Sequence, residues 1–237
     1  MILPKKFLIV AIVSCFLSAI TTLGIHSSLF DLGTLSFEER LLLYQNTTYL
    51  ANRFWVILHC LFVLISMWGF CLLQIRKSPG FTGLGFVFFA VFCFTEIFRQ
   101  MFVFFYLNGI RQSYMVAETT VKQVLVQNMD SAGLFGYALF GLFIFAFSLG
   151  NICYGIALFG NKRLDNILAI LLLIWGILNL IAFGNEFWHS TTINVYIEYF
   201  SLFYQPLMRV LLAIWLWLQL KQKFSTRDSK QLEILKI

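Results

Sequence analysis

The run Leu84–Asn108, LGFVFFAVFCFTEIFRQMFVFFYLN, decides the class of fold. At about 1.5 Å per residue a helix of this length crosses a hydrocarbon core about 30 Å thick. Its apolar residues do not alternate with polar ones, so it does not read as a strand of an outer-membrane barrel. Helix is also the state in which a single segment satisfies its own backbone where lipid offers no partner. Five further runs of this kind flank it, at about 7–25, 54–75, 133–160, 164–184 and 195–220. The whole chain of 237 residues is 60% hydrophobic and 12% charged. A soluble domain is about half apolar and a quarter charged, so an ordinary soluble enzyme and a disordered chain are both excluded.

The expected fold is therefore all-α: a polytopic transmembrane bundle of six helices forming a single integral domain over residues 1–237. Short polar breaks separate the runs. Arg76-Lys77-Ser78-Pro79-Gly80 is a tight turn with helix-breaking residues, and Asn161-Lys162-Arg163 is another. The fourth run is too long for one upright helix, so it tilts or starts above the membrane plane. The five cysteines, Cys15, Cys60, Cys71, Cys93 and Cys153, all fall inside apolar runs without a C-x-x-C. They read as small buried hydrophobes.

The net charge of +6 first points to nucleic acid or anionic lipid. With a cytoplasmic N-terminus, the inner side collects Lys5, Lys6, Arg76, Lys77, Lys162, Arg163, Lys221, Lys223, Arg227, Lys230 and Lys236, eleven of the seventeen basic residues. The outer side receives Arg40, Arg53, Arg111 and Lys122, while Arg99 and Arg209 lie within spans. The positive-inside rule thus places both termini in the cytoplasm. The charge is then a matter of topology; no nucleic-acid partner is implied. The basic tail 221–237 is free to touch anionic lipid. Lys5-Lys6 ahead of an apolar stretch also resembles a signal peptide. The run is longer than a typical signal core and no A-x-A site follows, so it reads as a retained span.

Inner connections are short, whereas the outer ones, 26–53 and 109–130, are long. Ser36-Phe37-Glu38-Glu39 fits a capping box, and Phe37, Leu41, Tyr44 and Thr48 follow helical spacing. Ala117, Val121, Val124 and Leu125 do so in the second loop. Both loops are expected to carry short amphipathic helices on the outer surface, with capping of the bundle as their plainest role. Asn46-Thr47-Thr48 matches a glycosylation sequon, meaningful only in a eukaryotic secretory pathway.

Ionisable groups inside spans are costly, so each is a candidate for function. In the third span Glu96, Arg99 and Gln100 share one face. In the sixth, Glu198, Gln205 and Arg209 do the same. Arg209 falls at about the depth of Glu96, and an ion pair between them is expected, with Arg99, one turn further out, able to share the acid. Asn179, Glu186 and His189 lead to the outer rim of the fifth span, and His59 lies below the outer end of the second. These positions point to a polar vestibule open to the outside, floored by Glu96, Arg99 and Arg209, that binds a small ligand or ion. The competing reading is a salt-bridge and hydrogen-bond network that fixes helix packing.

Chemistry motifs are sparse. Glu186-Phe187-Trp188-His189 is an E-x-x-H of di-iron spacing, but no second copy exists, and neither a metal site nor a cofactor is expected. His26, His59 and His189 all lie toward the outside, where a lone histidine is more often an interface residue than a zinc ligand. There is no G-x-S-x-G, P-loop or H-E-x-x-H. Gly136, Gly141, Gly150, Gly155 and Gly160 are expected to serve close helix packing in the fourth span.

Three stretches carry a resemblance to a known family: Phe94-Thr95-Glu96-Ile97-Phe98, the entry to the fourth span from Asp130 to Gly141, and Gln205 to Trp215, followed by Leu216. Together they resemble the bacterial six-helix membrane family called domain of unknown function 4386. That family often has a glutamate four residues before the alanine that here is Ala213, where this chain has Arg209. The resemblance implies a bacterial inner-membrane protein and supplies no substrate, cofactor or catalytic residue. Three classes of function follow. One is a ligand-binding or transport protein. The second is a structural or partner-binding membrane protein. The third is an intramembrane lipid-modifying enzyme with His59, Glu96 and His189 as acid–base groups.

Overall fold

The computed structural model describes residues 5–25, 33–160, 162–187 and 192–234, with side chains left out over 186–199 and 224–234. Every element among the described residues is helical. They are α1 (Lys5–Ile25), α2 (Phe37–Leu41), α3 (Thr47–Gln74), α4 (Pro79–Met101), α5 (Asn108–Val116), α6 (Thr119–Leu158), α7 (Arg163–Phe187) and α8 (Thr192–Ile234). A 3-10 turn, Leu42–Gln45, follows α2, and a π turn, Phe102–Leu107, joins α4 to α5. Six stretches are long and apolar enough to span a membrane: Lys5–Ile25, Thr47–Gln74, Pro79–Val116, Thr119–Leu158, Arg163–Asn185 and Phe200–Lys223.

These helices close a ring. α1 packs on α3, α3 on α4, α4 on α6, α6 on α7, α7 on α8, and α8 returns to α1. Aromatic side chains fill the interior. Phe70 stacks on Tyr154 at 4.2 Å and tilts against Trp215 at 5.1 Å. The Tyr154 hydroxyl donates to the Met67 carbonyl at 2.9 Å, which ties α6 to α3. Higher in the ring, Phe92 lies 4.9 Å from Phe147, and Trp175 lies 5.1 Å from Tyr204. Other phenylalanines point outward: Phe94 is 61% exposed and Phe105 70%. An outward apolar surface of this kind would drive a water-soluble monomer to associate, whereas lipid solvates it.

The turns appear where the sequence places them. Pro79 occupies the first turn of α4, where its missing N–H costs nothing. The Ser36 hydroxyl accepts from the Glu39 N–H at 3.2 Å, and Glu39 Oε2 accepts from the Ser36 N–H at 2.8 Å, completing the capping box. Asn46 Oδ1 accepts from the Tyr49 N–H at 2.9 Å, so the first residue of the sequon is the N-cap of α3.

The region 109–130 differs from expectation. The helical stretch starting at Pro79 continues to Val116, and α6 begins at Thr119 after only Ala117 and Glu118. The expected outer loop is thus the paired ends of two long helices. Val121 and Val124 remain exposed there, with no neighbouring helix covering them. A residue pattern with helical periodicity does not say whether its helix stands alone or extends a span. The basic stretch after Leu220 continues α8 as helix through Ile234.

Candidate functional site

At the end of the ring remote from Lys77 and Lys162, α3, α4 and α5 gather a buried polar cluster. It begins with three residues on one face of α4. The Glu96 carboxylate is clamped by Arg99, whose Nε donates to Oε2 at 2.8 Å and whose Nη2 donates to Oε1 at 2.7 Å. Gln100 Nε2, one residue further along, also donates to Oε1. Glu96 is 3% exposed and Gln100 1%. This is the one ion pair among the described residues.

The cluster crosses to α3 through Gln100, whose Oε1 accepts from Arg53 Nη1 at 3.1 Å. The Arg53 guanidinium lies 4.7 Å from the centre of the Tyr49 ring, one helical turn before it. Its buried Nε has no hydrogen-bond partner among the described residues. Arg111 of α5 reaches the same tyrosine: its Nη1 donates to Tyr49 Oη at 3.0 Å and to Asn108 Oδ1 at 2.8 Å. Arg111 and Asn108 are both buried. Among the described residues the cluster thus holds three guanidiniums and one carboxylate, with Arg99 on Glu96, Arg53 on Gln100 and Arg111 on Tyr49 and Asn108. The π turn Phe102–Leu107 separates Glu96–Gln100 from Asn108–Arg111. Its wider turn resets the angular register of α5 relative to α4, a feature that recurs at functional sites.

The structure thus brings together Glu96, Arg99 and Gln100 of the expected site residues. It adds Tyr49, Arg53, Asn108 and Arg111. In the sequence Arg53 and Arg111 read as ordinary rim charges outside the apolar runs. The available signal was the spacing of Tyr49 and Arg53 by four residues and of Asn108 and Arg111 by three, each on one helix face.

The expected Glu96–Arg209 ion pair does not form. Arg99 reaches the carboxylate within its own helix, so no cross-bundle partner is required. Arg209 is buried, with Nη1 3.9 Å from Met67 Sδ and the thiols of Cys15, Cys60 and Cys93 close enough to interact electrostatically. Cys15 donates its thiol proton to the Arg209 carbonyl at 3.1 Å, joining α1 to α8.

His59 is buried, and its Nδ1 lies 2.8 Å from Thr21 Oγ1, an α1–α3 contact. Gln205 is half-buried and makes no hydrogen bond among the described residues. His26, His189 and the side chains of Glu186 and Glu198 lie outside the described residues. No family model, no curated protein and no solved structure matches the chain.

Proposed function

We propose that this multi-pass membrane protein binds a small anion, such as a carboxylate or phosphate, at the cluster of Arg53, Arg99 and Arg111. The observation that carries the reading is that, among the described residues, three guanidiniums gather around the single Glu96 carboxylate and the buried Arg53 Nε lacks an acceptor. Guanidinium groups recognise planar or tetrahedral oxyanions through paired N–H donors. Arg99 is the natural point of entry, since its side chain is 27% exposed against 4% for Glu96. Distribution of the basic residues orients the bundle with both termini in the cytoplasm and the cluster outward. The basic end of α8 then meets anionic lipid. Membership of the bacterial six-helix family named above is offered on the same footing, resting on its three sequence stretches.

The test is thermal unfolding of the purified protein in uncharged detergent, titrated with phosphate, citrate or glutamate against a chloride control. At least one oxyanion is expected to raise the unfolding temperature saturably, and Arg53→Gln is expected to abolish that response. If no oxyanion acts and Arg53→Gln only destabilises, the cluster is a packing network and the binding reading fails.

A further inference from the structure

Gln205 and Arg209 lie one turn apart on a single face of α8. The opposite face of that helix carries Phe203 and Leu207, both exposed. Gln205 and Arg209 therefore face the interior of the ring. Arg209 falls about 14 Å along the apolar stretch Phe200–Lys223, well inside the bundle. Three features set this position apart from ordinary packing.

The first is charge. Arg209 is 5% exposed and has no carboxylate partner among the described residues. Glu96, the acid expected to pair with it, is held by Arg99. Arg209 Nη1 has only the Met67 thioether, at 3.9 Å. Nε and Nη2 make no hydrogen bond among the described residues, yet unlike Trp175 Nε1 they are not sealed from a water-sized molecule. The second is the Gln205 amide, which is half-buried, makes no hydrogen bond among the described residues and is not sealed either. Ser201, the next residue along that face, is also half-buried. Accessible turns thus lead from Arg209 toward the end of the ring that holds the arginine cluster. The third is Pro206, inside the helix between the two side chains. It lacks the N–H that would close on the Leu202 carbonyl, which opens the helix locally. Interrupted spans of this kind often line ion and substrate sites.

We propose that the Arg209 guanidinium and the Gln205 amide together bind one small monovalent anion, of halide size, in the interior of the bundle. The charge of the ligand follows from the charge of the site. One guanidinium without a carboxylate is neutralised by a single negative charge, whereas a divalent or trivalent oxyanion would leave buried charge of the opposite sign. The size follows from the small accessible surface, which admits a dehydrated ion and not a bulky one. The neighbours do not compete for the open N–H groups. Met67 offers a thioether, a weak acceptor, and the Cys15 thiol is already spent on the Arg209 carbonyl. Both sulfurs are polarisable surface against which a halide packs. This site shares no residue with Arg53, Arg99 and Arg111 and does not rest on the binding proposed there.

The experiment uses the full chain purified in uncharged maltoside detergent with sodium gluconate, whose anion is too bulky for the site. Sodium chloride or sodium bromide replaces gluconate at constant ionic strength while the unfolding temperature is followed. Both halides are expected to raise it saturably. Arg209→Met is expected to abolish the rise while folding at least as stably, since it removes a buried charge without a partner. Arg209→Lys, which keeps the charge, is expected to retain a saturable rise. Gln205→Leu is expected to weaken halide binding about tenfold through loss of one hydrogen bond to a charged ligand. In crystals grown with bromide, an anomalous peak is expected beside the Arg209 guanidinium. Arg53→Gln is expected to leave the halide response in place. A response that Arg53→Gln removes would put the halide in the arginine cluster and overturn this proposal while leaving that one standing. Absence of a saturable rise with both halides also overturns it, as does a rise that survives Arg209→Met.

Discussion

At the scale of single residues, two arginines in the same bundle are in opposite situations. Arg99 holds a bidentate ion pair with Glu96. Removing one partner of such a pair leaves the other charge buried, which costs more than removing both. Arg99→Gln is therefore expected to lower stability by about 2 kcal/mol, and the double variant Glu96→Gln with Arg99→Gln to recover part of it. A double-mutant cycle by thermal unfolding measures that coupling. Arg209 is buried beside Met67 without a carboxylate among the described residues. Replacing it with methionine of similar length is expected to raise stability by about 1 kcal/mol or more. A fall in unfolding temperature would show that the surrounding thiols and carbonyls hold the charge favourably. Sequence reading identified both arginines as intramembrane charges and saw that Arg99 could share Glu96, but it assigned that acid first to Arg209. An i,i+3 contact is predictable from helix geometry, whereas a contact across a bundle depends on helix rotation.

At the scale of elements, the small residues of α6 divide by position. A Cβ on Gly155 would lie 2.9 Å from the Ala169 carbonyl oxygen of α7, and one on Gly176 of α7 would lie 2.8 Å from the Ser148 carbonyl oxygen of α6. Neither backbone can yield without separating the helices. Gly155→Ala and Gly176→Ala are each expected to cost about 1–3 kcal/mol. Gly136 has nothing within 4 Å of that position, so Gly136→Ala is expected to be neutral or stabilising by up to about 1 kcal/mol through helix propensity. Unfolding temperatures of the three variants check the contrast. The packing role expected for the whole glycine series thus holds at Gly150 and Gly155 and fails at Gly136, which faces open space. The capping box at α2 carries a pH dependence. The Ser36 backbone N–H, then its hydroxyl, hold the Glu39 carboxyl below its ordinary value. A carboxyl depressed in the folded state stabilises above its unfolded pKa, about 4.3, and that contribution is lost as pH falls through the folded value. A lower protection factor for the Ser36 amide, measured against its intrinsic exchange rate at each pH, is expected in that acidic window.

At the scale of the whole molecule, topology is the checkable property. All five cysteines are buried, so the native chain offers little background to a membrane-impermeant thiol reagent. Arg40→Cys is expected to label from outside intact cells, and Lys77→Cys only after permeabilisation; the reverse pattern would invert the orientation. The sequence by itself determined six helices long and apolar enough to span a membrane, the break at Arg76–Ser78 and the cap at Ser36. These follow from local chemistry: segment hydrophobicity against core thickness, and side chains that satisfy backbone groups within one turn. Only the tertiary structure decided the closed ring, the Arg53 bond to Gln100 and the Arg111 bond to Tyr49. It also separated Arg209 from Glu96. Those outcomes depend on how each helix is rotated and how far it extends past its neighbours. In a bundle whose interior and lipid faces are both apolar, hydrophobicity alone does not distinguish the rotations. The few polar contacts and close glycine approaches do.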